Sequence, residues 1–382
     1  MIKTKKNILA SLFILSSCLV VFSQGDQLGA NDRIITTAVP FLTISPDARS
    51  GGMGDVGVAI SPDANSAYWN PAKLVFLESP YGGSFSYTPW LSKLVPDMSI
   101  SYLSGYYKPS KEQAFALSMR YFDLGEIFFT RDGREGTLFD PREFAISGQY
   151  ARLLTENLSV SIGARFIRSN LTGYYSSGSG SEARPGNSVA SDIAVYYTKD
   201  LLLSGKNTNL SFGANISNIG RKLTYTDEDN RDFIPTNLRL GTALTTSLDP
   251  FNTITIAVDV NKLMVPTPTE TSNEKSLLSG MFGSFGDAPD GFSEELKEFI
   301  VSIGAEYWYN STFAGRVGYF NESEEKGNRK YLTLGLGFKY QVLGIDFAYL
   351  IPSEQDHPLK ETLRFTLHFN MAQNTLEESI ID

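Results

Sequence analysis

Most of this chain consists of short stretches in which apolar and polar residues alternate one for one. The clearest stretch runs from Leu363 to Phe369, where leucine and phenylalanine take every second position and arginine, threonine and histidine lie between them. A period of two is the signature of a β-strand whose two faces meet different environments. The repeated pattern therefore predicts an all-β protein.

The same alternation predicts a transmembrane antiparallel β-barrel of about 14 strands. The strands are expected at residues 81–89, 97–108, 113–123, 142–153, 157–168, 188–199, 208–218, 236–247, 252–263, 298–309, 312–320, 329–341, 343–351 and 361–370. Short and long connections alternate, and the region near 200–207 is expected to be the one longer turn on the short side. An even strand number places both chain ends in the periplasm, as bacterial outer-membrane barrels require.

Composition agrees with a barrel in the outer membrane. Tyrosine (19 residues) and phenylalanine (25 residues) are numerous enough to supply aromatic girdles at both membrane interfaces. The mean hydropathy is only −0.14, which is expected where half of each strand faces a polar lumen. The net charge of −9 argues against nucleic acid as a partner.

The first 23 residues have the form of a secretory signal peptide. Lysines precede an apolar run from Ile8 to Phe22, and Ser23 is followed by a suitable cleavage point. A competing interpretation is a lipoprotein signal, because Leu15 to Cys18 has the form of a lipoprotein cleavage box. Cys18 is the only cysteine, so ordinary cleavage after Ser23 leaves a mature chain without disulfides, thiolate metal sites or cysteine catalysis.

Residues 24–78 do not follow the strand pattern. They contain a glycine-rich segment from Gly51 to Gly57, and the segment from Ser66 to Ala72 predicts a short helix or turn that ends at Pro71. We therefore expect an N-terminal arm and hatch at 24–78 that plugs a barrel spanning 79–371, followed by an acidic periplasmic tail at 372–382. A nucleotide-binding loop is excluded because the glycines lack the required lysine and spacing.

The sequence offers little chemistry for catalysis or metal binding. The chain has two histidines, His357 in a predicted loop and His368 within the last strand, and neither lies near a serine motif suited to it. The acidic run from Asp227 to Asp232 does not match the twelve-residue calcium loop, so solvated surface charge is the simpler interpretation. We expect no enzyme activity, catalytic residue, cofactor or metal site.

Four arginines are expected to face the lumen. They are Arg165, Arg239, Arg316 and Arg364. A transporter of fatty acids or other hydrophobic solutes would need such a cation for the substrate carboxylate. The alternative is that the arginines pair with luminal carboxylates, for which Asp259 and Glu306 are candidates.

The long loops are the expected sites of partner binding, since lipid would cover the outer wall and the lumen is expected to be plugged. In the longest loop, apolar residues recur at helical spacing and predict one face of a short amphipathic helix; they are Leu277, Leu278, Met281, Phe282 and Phe285. Such a stripe either contacts a partner or packs over the barrel mouth. Trp90 and Leu91 in the first loop are further candidates, unless they belong to the outer girdle.

Two sequence motifs resemble a known family. Ala48 to Gly54, followed by Ala67 to Ala72, is similar to the hatch motif of the FadL superfamily of outer-membrane transporters. Within that superfamily, the segment from Asn31 to Leu42 resembles the PorV (LptO) branch, the barrel of the Bacteroidetes type IX secretion system. The resemblance covers nearly the whole mature chain. It implies a structural hatch that includes Gly51, Gly52, Met53, Gly54, Tyr68, Trp69, Asn70 and Pro71.

The same resemblance implies a role in protein secretion. Barrels of this branch bind the C-terminal domain of type IX cargo, associate with an SprA-type translocon and carry cargo to the attachment complex at the surface. The implied partners are therefore the translocon, secreted cargo, attachment-complex proteins and outer-membrane lipid. The resemblance supplies no catalytic residue. Transport of fatty acids or other hydrophobic solutes remains the alternative function.

Overall fold

The computed structural model describes residues 33–131, 134–171, 175–176, 182–225, 231–269, 271–354 and 357–371. The predicted signal peptide, the acidic tail and most of the run from Asp227 to Asp232 lie outside these residues. The described chain forms a closed antiparallel β-barrel of 14 strands, in which each strand pairs with its neighbours in sequence and the first closes on the last. The predicted fold class is confirmed.

The barrel strands follow the predicted order. They are β1 Tyr81–Pro89, β2 Ser99–Ser110, β3 Gln113–Asp123, β4 Arg142–Thr155, β5 Leu158–Asn170, β6 Gly186–Leu203, β7 Lys206–Gly220, β8 Asn237–Ser247, β9 Asn252–Leu263, β10 Phe299–Tyr309, β11 Phe313–Asn321, β12 Lys330–Tyr340, β13 Leu343–Pro352 and β14 Leu363–Met371. Tyr81 of β1 pairs with Met371 of β14 and closes the ring.

The alternation along each strand separates the lumen from the outer wall. In β12, Leu332, Leu334 and Leu336 are exposed on the outside, while Thr333 is fully buried on the inside. Outward aromatic residues gather toward the two ends of the strands, as girdles require. Those near the end with the long loops include Tyr87, Tyr121, Phe144, Tyr319 and Tyr349, and those near the end with the short turns include Tyr107, Phe115, Tyr309, Phe313 and Tyr340.

Short turns join the strands at one end of the barrel, called here the turn end. The expectation of a longer turn near 200–207 is wrong, because β6 continues to Leu203 and β7 begins at Lys206. Ser204 and Gly205 alone connect them, with φ angles of 52° and 77°. Two successive residues with positive φ form the tight hairpin turn that matches the twist of antiparallel strands.

Long connections join the strands at the opposite end, called here the loop end. Two of them contain small hairpins that the sequence pattern did not predict: Ile127–Arg131 with Arg134–Phe139, and Tyr175–Ser176 with Glu182–Ala183. No helix among the described residues is long and apolar enough to cross a membrane.

The described part of the N-terminal arm lies inside the barrel. It contains a 3₁₀ turn at Pro40–Thr43, helix α1 at Ala48–Gly51, helix α2 at Ser66–Trp69 and a second 3₁₀ segment at Pro71–Phe76. The predicted short helix therefore ends at Trp69, just before Asn70 and Pro71. Apolar residues of this arm form the core with inward residues of the wall: Phe41 and Leu42 pack with Ile100 and Ile167, and Leu74 and Val75 pack with Tyr106.

Candidate functional site

The segment that we call the hatch (residues 38–77) is fastened to the inside of the wall by hydrogen bonds. Its backbone amides donate to inward side chains: Ala48 N to Thr366 Oγ1 at 2.8 Å and Gly54 N to Thr333 Oγ1 at 2.8 Å. Asp259 of β9 accepts from Gly57 N at 2.7 Å and from Val58 N at 2.9 Å. Polar wall residues therefore satisfy hatch backbone groups that have no strand partner.

Glycines bring the hatch backbone into contact with the wall. A Cβ atom added to Gly52 would lie 2.8 Å from Gly335 Cα, and one added to Gly54 would lie 2.6 Å from Tyr319 N. Gly54 also has a φ of +72°, which favours glycine. On the wall, Gly318 faces Met53, whose carbonyl carbon would lie 2.0 Å from an added Cβ. The glycine-rich segment therefore fits against glycines of the wall.

Buried ion pairs join the hatch to the barrel. Arg49 donates to both carboxylate oxygens of Glu306, at 3.0 and 2.8 Å, and to Asp63 at 3.0 Å. Arg316 donates to the same Glu306 at 2.7 Å and to Asp346 at 2.7 Å. These side chains lie in the lumen, where an unpaired charge would be costly.

The inward arginines of the sequence prediction all lie in the lumen, and three of them pair with carboxylates. Arg316 meets Glu306, Arg165 meets Asp192 at 2.7 Å, and Arg364 pairs with Asp55 of the hatch. Arg239 instead donates to the Tyr68 hydroxyl at 2.7 Å. Asp259, the other proposed partner, accepts from hatch amides as described above. Sequence reasoning could not place Asp55 because it belongs to the hatch.

Tyr68 of the hatch lies between two arginines. The guanidinium carbons of Arg120 and Arg239 lie 4.4 and 4.7 Å from the centroid of its ring. Burial alone would raise the pKa of the Tyr68 hydroxyl, but the two guanidinium groups hold it below its usual value. Its neighbour Trp69 donates from Nε1 to Asp47 at 2.7 Å. Both aromatic hatch residues therefore have specific polar partners in the lumen.

The lumen encloses two cavities of interest. One of about 70 Å³ lies between the hatch and the loop end and is lined by Trp69, Trp90, Arg239, Phe320 and other residues. The other, of about 270 Å³, lies near the turn end and is lined by Arg49, Trp308, His368 and other residues. Pockets for small molecules usually measure roughly 300–1,000 Å³. The first cavity is well below that size.

Trp90 and Leu91 of the first long loop point into the barrel mouth. Both are half-buried and pack against the inward residues Phe320, Tyr331 and Leu350. Trp90 also contacts the cluster that contains Phe41 of the hatch. These two residues therefore cover the barrel mouth at the loop end. Neither residue extends fully into solvent, and neither belongs to the outer girdle.

The longest loop folds into two short helices, α3 at Leu277–Gly283 and α4 at Phe292–Lys297. The prediction of one shared apolar face is wrong for α3. Met281 is only 2% exposed and anchors the helix, and Leu277 is half-buried, whereas Leu278 is 61% and Phe282 68% exposed. The helix ends at Gly283, two residues before the end of the predicted stripe, so Phe285 lies beyond it.

Helix α4 also exposes two apolar residues. Phe292 is 77% and Leu296 54% exposed. In the sequence, these two residues are four positions apart, as on one face of a helix. The acidic residues between them, Glu294 and Glu295, obscured that pattern. We call Leu278, Phe282, Phe285, Phe292 and Leu296 the loop patch.

A buried ion network holds α4 over the barrel mouth. Lys262 at the end of β9 pairs with Glu298, and Lys326 of the neighbouring loop pairs with Glu294 at 2.7 Å and with Glu298 at 3.0 Å. Arg33 of the N-terminal arm also contacts Glu294 at 2.9 Å. Ion pairs thus hold the α4 part of the loop patch in place.

The charges of this network shift two pKa values. Burial would raise the pKa of Glu294, but the hydrogen bond from Lys326 and the nearby positive charges hold it below its usual value. Burial would lower the pKa of Lys326, yet Glu294 and Glu298 raise it above its usual value. Both groups are therefore charged across the neutral pH range.

The two histidines lie toward opposite ends of the barrel, His368 in β14 and His357 in a connection at the loop end. His368 faces the lumen, 3.3 Å from Asp346, and His357 Nδ1 accepts from Leu359 N at 3.1 Å within a loop. Among the described residues, no group of three or more histidine, cysteine, aspartate or glutamate side chains could hold a metal ion.

Comparisons with known proteins identify relatives of this fold. A family model described as "Type IX secretion system protein PorV" matches residues 27–270. The search of curated proteins gives no match. The structure is similar to the TodX ΔS2S3 mutant of a monoaromatic hydrocarbon channel, with a TM-score of 0.51, 14% identity and coverage of 85% of this chain and 98% of the other.

Two further barrels give lower scores. The Ralstonia pickettii toluene transporter TbuX has a TM-score of 0.47 and 12% identity, with coverage of 85% of this chain and 98% of the other. A Pseudomonas aeruginosa FadL homologue has a TM-score of 0.44 and 11% identity, with coverage of 89% of this chain and 99% of the other. At such identities the similarity is one of fold and says nothing of what this chain binds.

Proposed function

The chain belongs to the PorV family of type IX secretion system proteins, and on that premise we propose that it is an outer-membrane component of this system that handles cargo. It binds the C-terminal signal domain of secreted proteins, associates with an SprA-type translocon and delivers cargo to the attachment complex. It acts by binding alone and is not an enzyme. The loop end of the barrel faces the outside of the cell.

The observation that carries this proposal is the contrast between the lumen and the loop end. The hatch fills the lumen and is tied to the wall by hydrogen bonds and ion pairs, including Arg49 to Glu306 and Arg364 to Asp55. The loop patch, in contrast, exposes large apolar side chains on α3 and α4, and buried ion pairs hold α4 in place. Fixed and exposed aromatic residues are typical anchors of protein interfaces.

The test is an affinity pull-down of the tagged protein from detergent-solubilised outer membranes, followed by mass spectrometry. A triple variant with Leu278→Ser, Phe282→Ser and Phe292→Ser removes the three most exposed apolar side chains of the patch. The matched control carries Leu154→Ser, Leu202→Ser and Phe251→Ser, which are similarly exposed at the turn end, 54%, 76% and 59%.

We expect the wild type and the control to recover a very large barrel and secreted proteins that share a C-terminal domain. The patch variant should recover at least about tenfold less of one or both, because anchor residues commonly contribute about 2 kcal/mol or more each. Equal recovery by both variants would refute the role of the patch. Recovery of the tagged protein without protein partners, and with bound lipid or fatty acid, would refute the secretion role.

Hydrophobic-solute transport is the second candidate, and Arg239 is the observation in its favour. Its Nη1 atom is buried without a hydrogen bond to the described residues, and the side chain lines the 70 Å³ cavity beside Trp69 and Phe320. The similar structures include a mutant of a monoaromatic hydrocarbon channel. Against it, the cavity is much smaller than a typical ligand pocket, so transport would require displacement of the hatch.

A further inference from the structure

A recess on the outer wall near the loop end combines basic and aromatic side chains. It measures about 430 Å³ and lies across β3, β4 and β5. Its lining residues are Met119, Tyr121, Arg142, Phe144, Arg168 and Asn170. None of them belongs to the hatch or the loop patch.

The strand register explains how these side chains meet. Phe144 pairs with Tyr121 on one side and with Arg168 on the other, and Arg142 pairs with Asn170 one step closer to the loop end. Glu143, between the two β4 residues, is buried on the luminal side. Because successive side chains point to opposite faces, Arg142 and Phe144 both face outward.

The height of the recess matches a membrane interface. Tyr121 and Phe144 belong to the outward aromatic residues near the loop end, and Met119, Ile146 and Phe166 lie next to them toward the barrel middle, exposed by 39–41%. Aromatic girdles lie at the level of lipid headgroups, with the apolar belt below. The two arginines therefore lie where acyl chains end and headgroups begin.

Both guanidinium groups can donate further hydrogen bonds to a ligand. Among the described residues, Arg142 has no ion pair or side-chain hydrogen bond, and Arg168 has a single long contact, 3.4 Å to Asn187 Oδ1. Asp123, which pairs with Arg142 in the ladder, accepts from Gly125 N at 3.1 Å. By comparison, Lys330 on the same rim is neutralised by Glu324.

We infer that this recess binds a phosphate-bearing glycolipid of the outer leaflet. Arg142 and Arg168 are diagonal neighbours on β4 and β5, and arginine binds phosphate groups through paired, charge-assisted hydrogen bonds. The aromatic and aliphatic floor accepts the acyl chain of the same molecule. A soluble anion would satisfy the arginines and leave the apolar floor without a partner. The site depends on the membrane orientation of the barrel and not on its secretion partners.

Native mass spectrometry of the detergent-purified full chain tests the site with two matched probes. These are bis-phosphorylated lipid A and the same lipid after phosphatase treatment. The test variant is Arg142→Gln with Arg168→Gln. The control, Arg152→Gln with Lys199→Gln, removes the same charge from exposed positions near the turn end. Heat-dependent gel mobility verifies that each variant is a folded barrel.

We expect the wild type and the control to bind phosphorylated lipid A equally. The test variant should bind it at least about tenfold more weakly, since a hydrogen bond to a charged group commonly corresponds to a factor of about ten or more. Removing the phosphates from the lipid should weaken binding to the wild type to a similar extent. Equal binding of the two lipids, or of the two variants, would overturn the inference.

A competition arm separates the lipid from free phosphate. Inorganic phosphate at millimolar concentration should displace little lipid A, because it gains nothing from the apolar floor. Displacement of lipid A by inorganic phosphate alone would show a simple anion site and would also overturn the lipid assignment.

Discussion

Gly52 of the hatch and Gly335 of β12 touch backbone to backbone. A Cβ atom on Gly52 would lie 2.8 Å from Gly335 Cα, and one on Gly335 would lie 2.9 Å from Gly52 Cα. No side chain fits between the two backbones at this point. The contact makes Gly335 one of the wall glycines on which the position of the hatch depends.

We therefore expect Gly335→Val to loosen the hatch, because overpacking in a close-packed interior commonly costs about 1–3 kcal/mol. Single-channel conductance in planar bilayers should rise in this variant. Gly315→Val is the matched control, since Gly315 lies on the adjacent strand β11 but faces outward, and an added Cβ would meet nothing within 4 Å. If both variants conduct like the wild type, the contact does not hold the hatch.

The pair between Arg364 and Asp55 should stabilise the plugged barrel. Asp55→Asn leaves the buried guanidinium of Arg364 without its carboxylate, which commonly costs about 3–5 kcal/mol. The urea midpoint of the barrel in lipid vesicles should fall. Adding Arg364→Met should restore much of it, because the uncompensated charge is then gone.

An exposed ion pair provides the comparison for this experiment. Lys93 and Glu361 contact each other at 2.7 Å on the surface of two loops. Lys93→Met should leave the urea midpoint unchanged, since solvent screens such pairs. A midpoint for Asp55→Asn that equals the wild-type value would show that the luminal pair contributes no stability.

The aromatic ring of Tyr68 should matter more than its hydroxyl. Arg120 and Arg239 lie on the ring at 4.4 and 4.7 Å from its centroid, and desolvated cation–π contacts are worth about 2 kcal/mol each. Tyr68→Leu should therefore lower the thermal midpoint clearly more than Tyr68→Phe, which keeps the ring. Equal effects of the two substitutions would assign the stabilisation to the hydroxyl group.

The support of the loop patch should depend on pH at both extremes. Glu294 has a lowered pKa, so its contribution is present above the unfolded value of 4.5 and is lost as the pH falls through the folded pKa. Lys326 has a raised pKa, so its contribution is present below 10.5 and is lost as the pH rises through the folded pKa.

Hydrogen exchange of residues 264–298, corrected for the intrinsic rate at each pH, measures this support. Protection should be constant near neutral pH and fall at both ends. Glu294→Gln should remove the acid limb of the profile, and Lys326→Met should remove the alkaline limb. A profile that keeps both limbs in both variants would show that other groups control the loop.

The sequence predicted the barrel well because a strand in a barrel wall is a local pattern. The period of two in β12 and β14 arises because one face of each strand meets lipid and the other meets the lumen. This alternation does not depend on which strands are neighbours. The tight turn at Ser204 and Gly205 was missed because β6 ends in three successive leucines, Leu201 to Leu203, which break the alternation. Likewise, the spacing of Leu278, Met281 and Phe282 indicated a helix but not the face that packs.

By itself, the sequence determined the fold class, the strand order, the inward direction of Arg165, Arg239, Arg316 and Arg364, and the resemblance to its family. Only the tertiary structure decided which charges meet. Asp55 and Arg364 are far apart in sequence, and their pairing depends on how the hatch lies in the closed lumen. The same holds for Arg142 and Arg168, which share a surface only because strand register aligns them. Periodicity is set by each segment alone, whereas partners are set by the closure of the whole barrel.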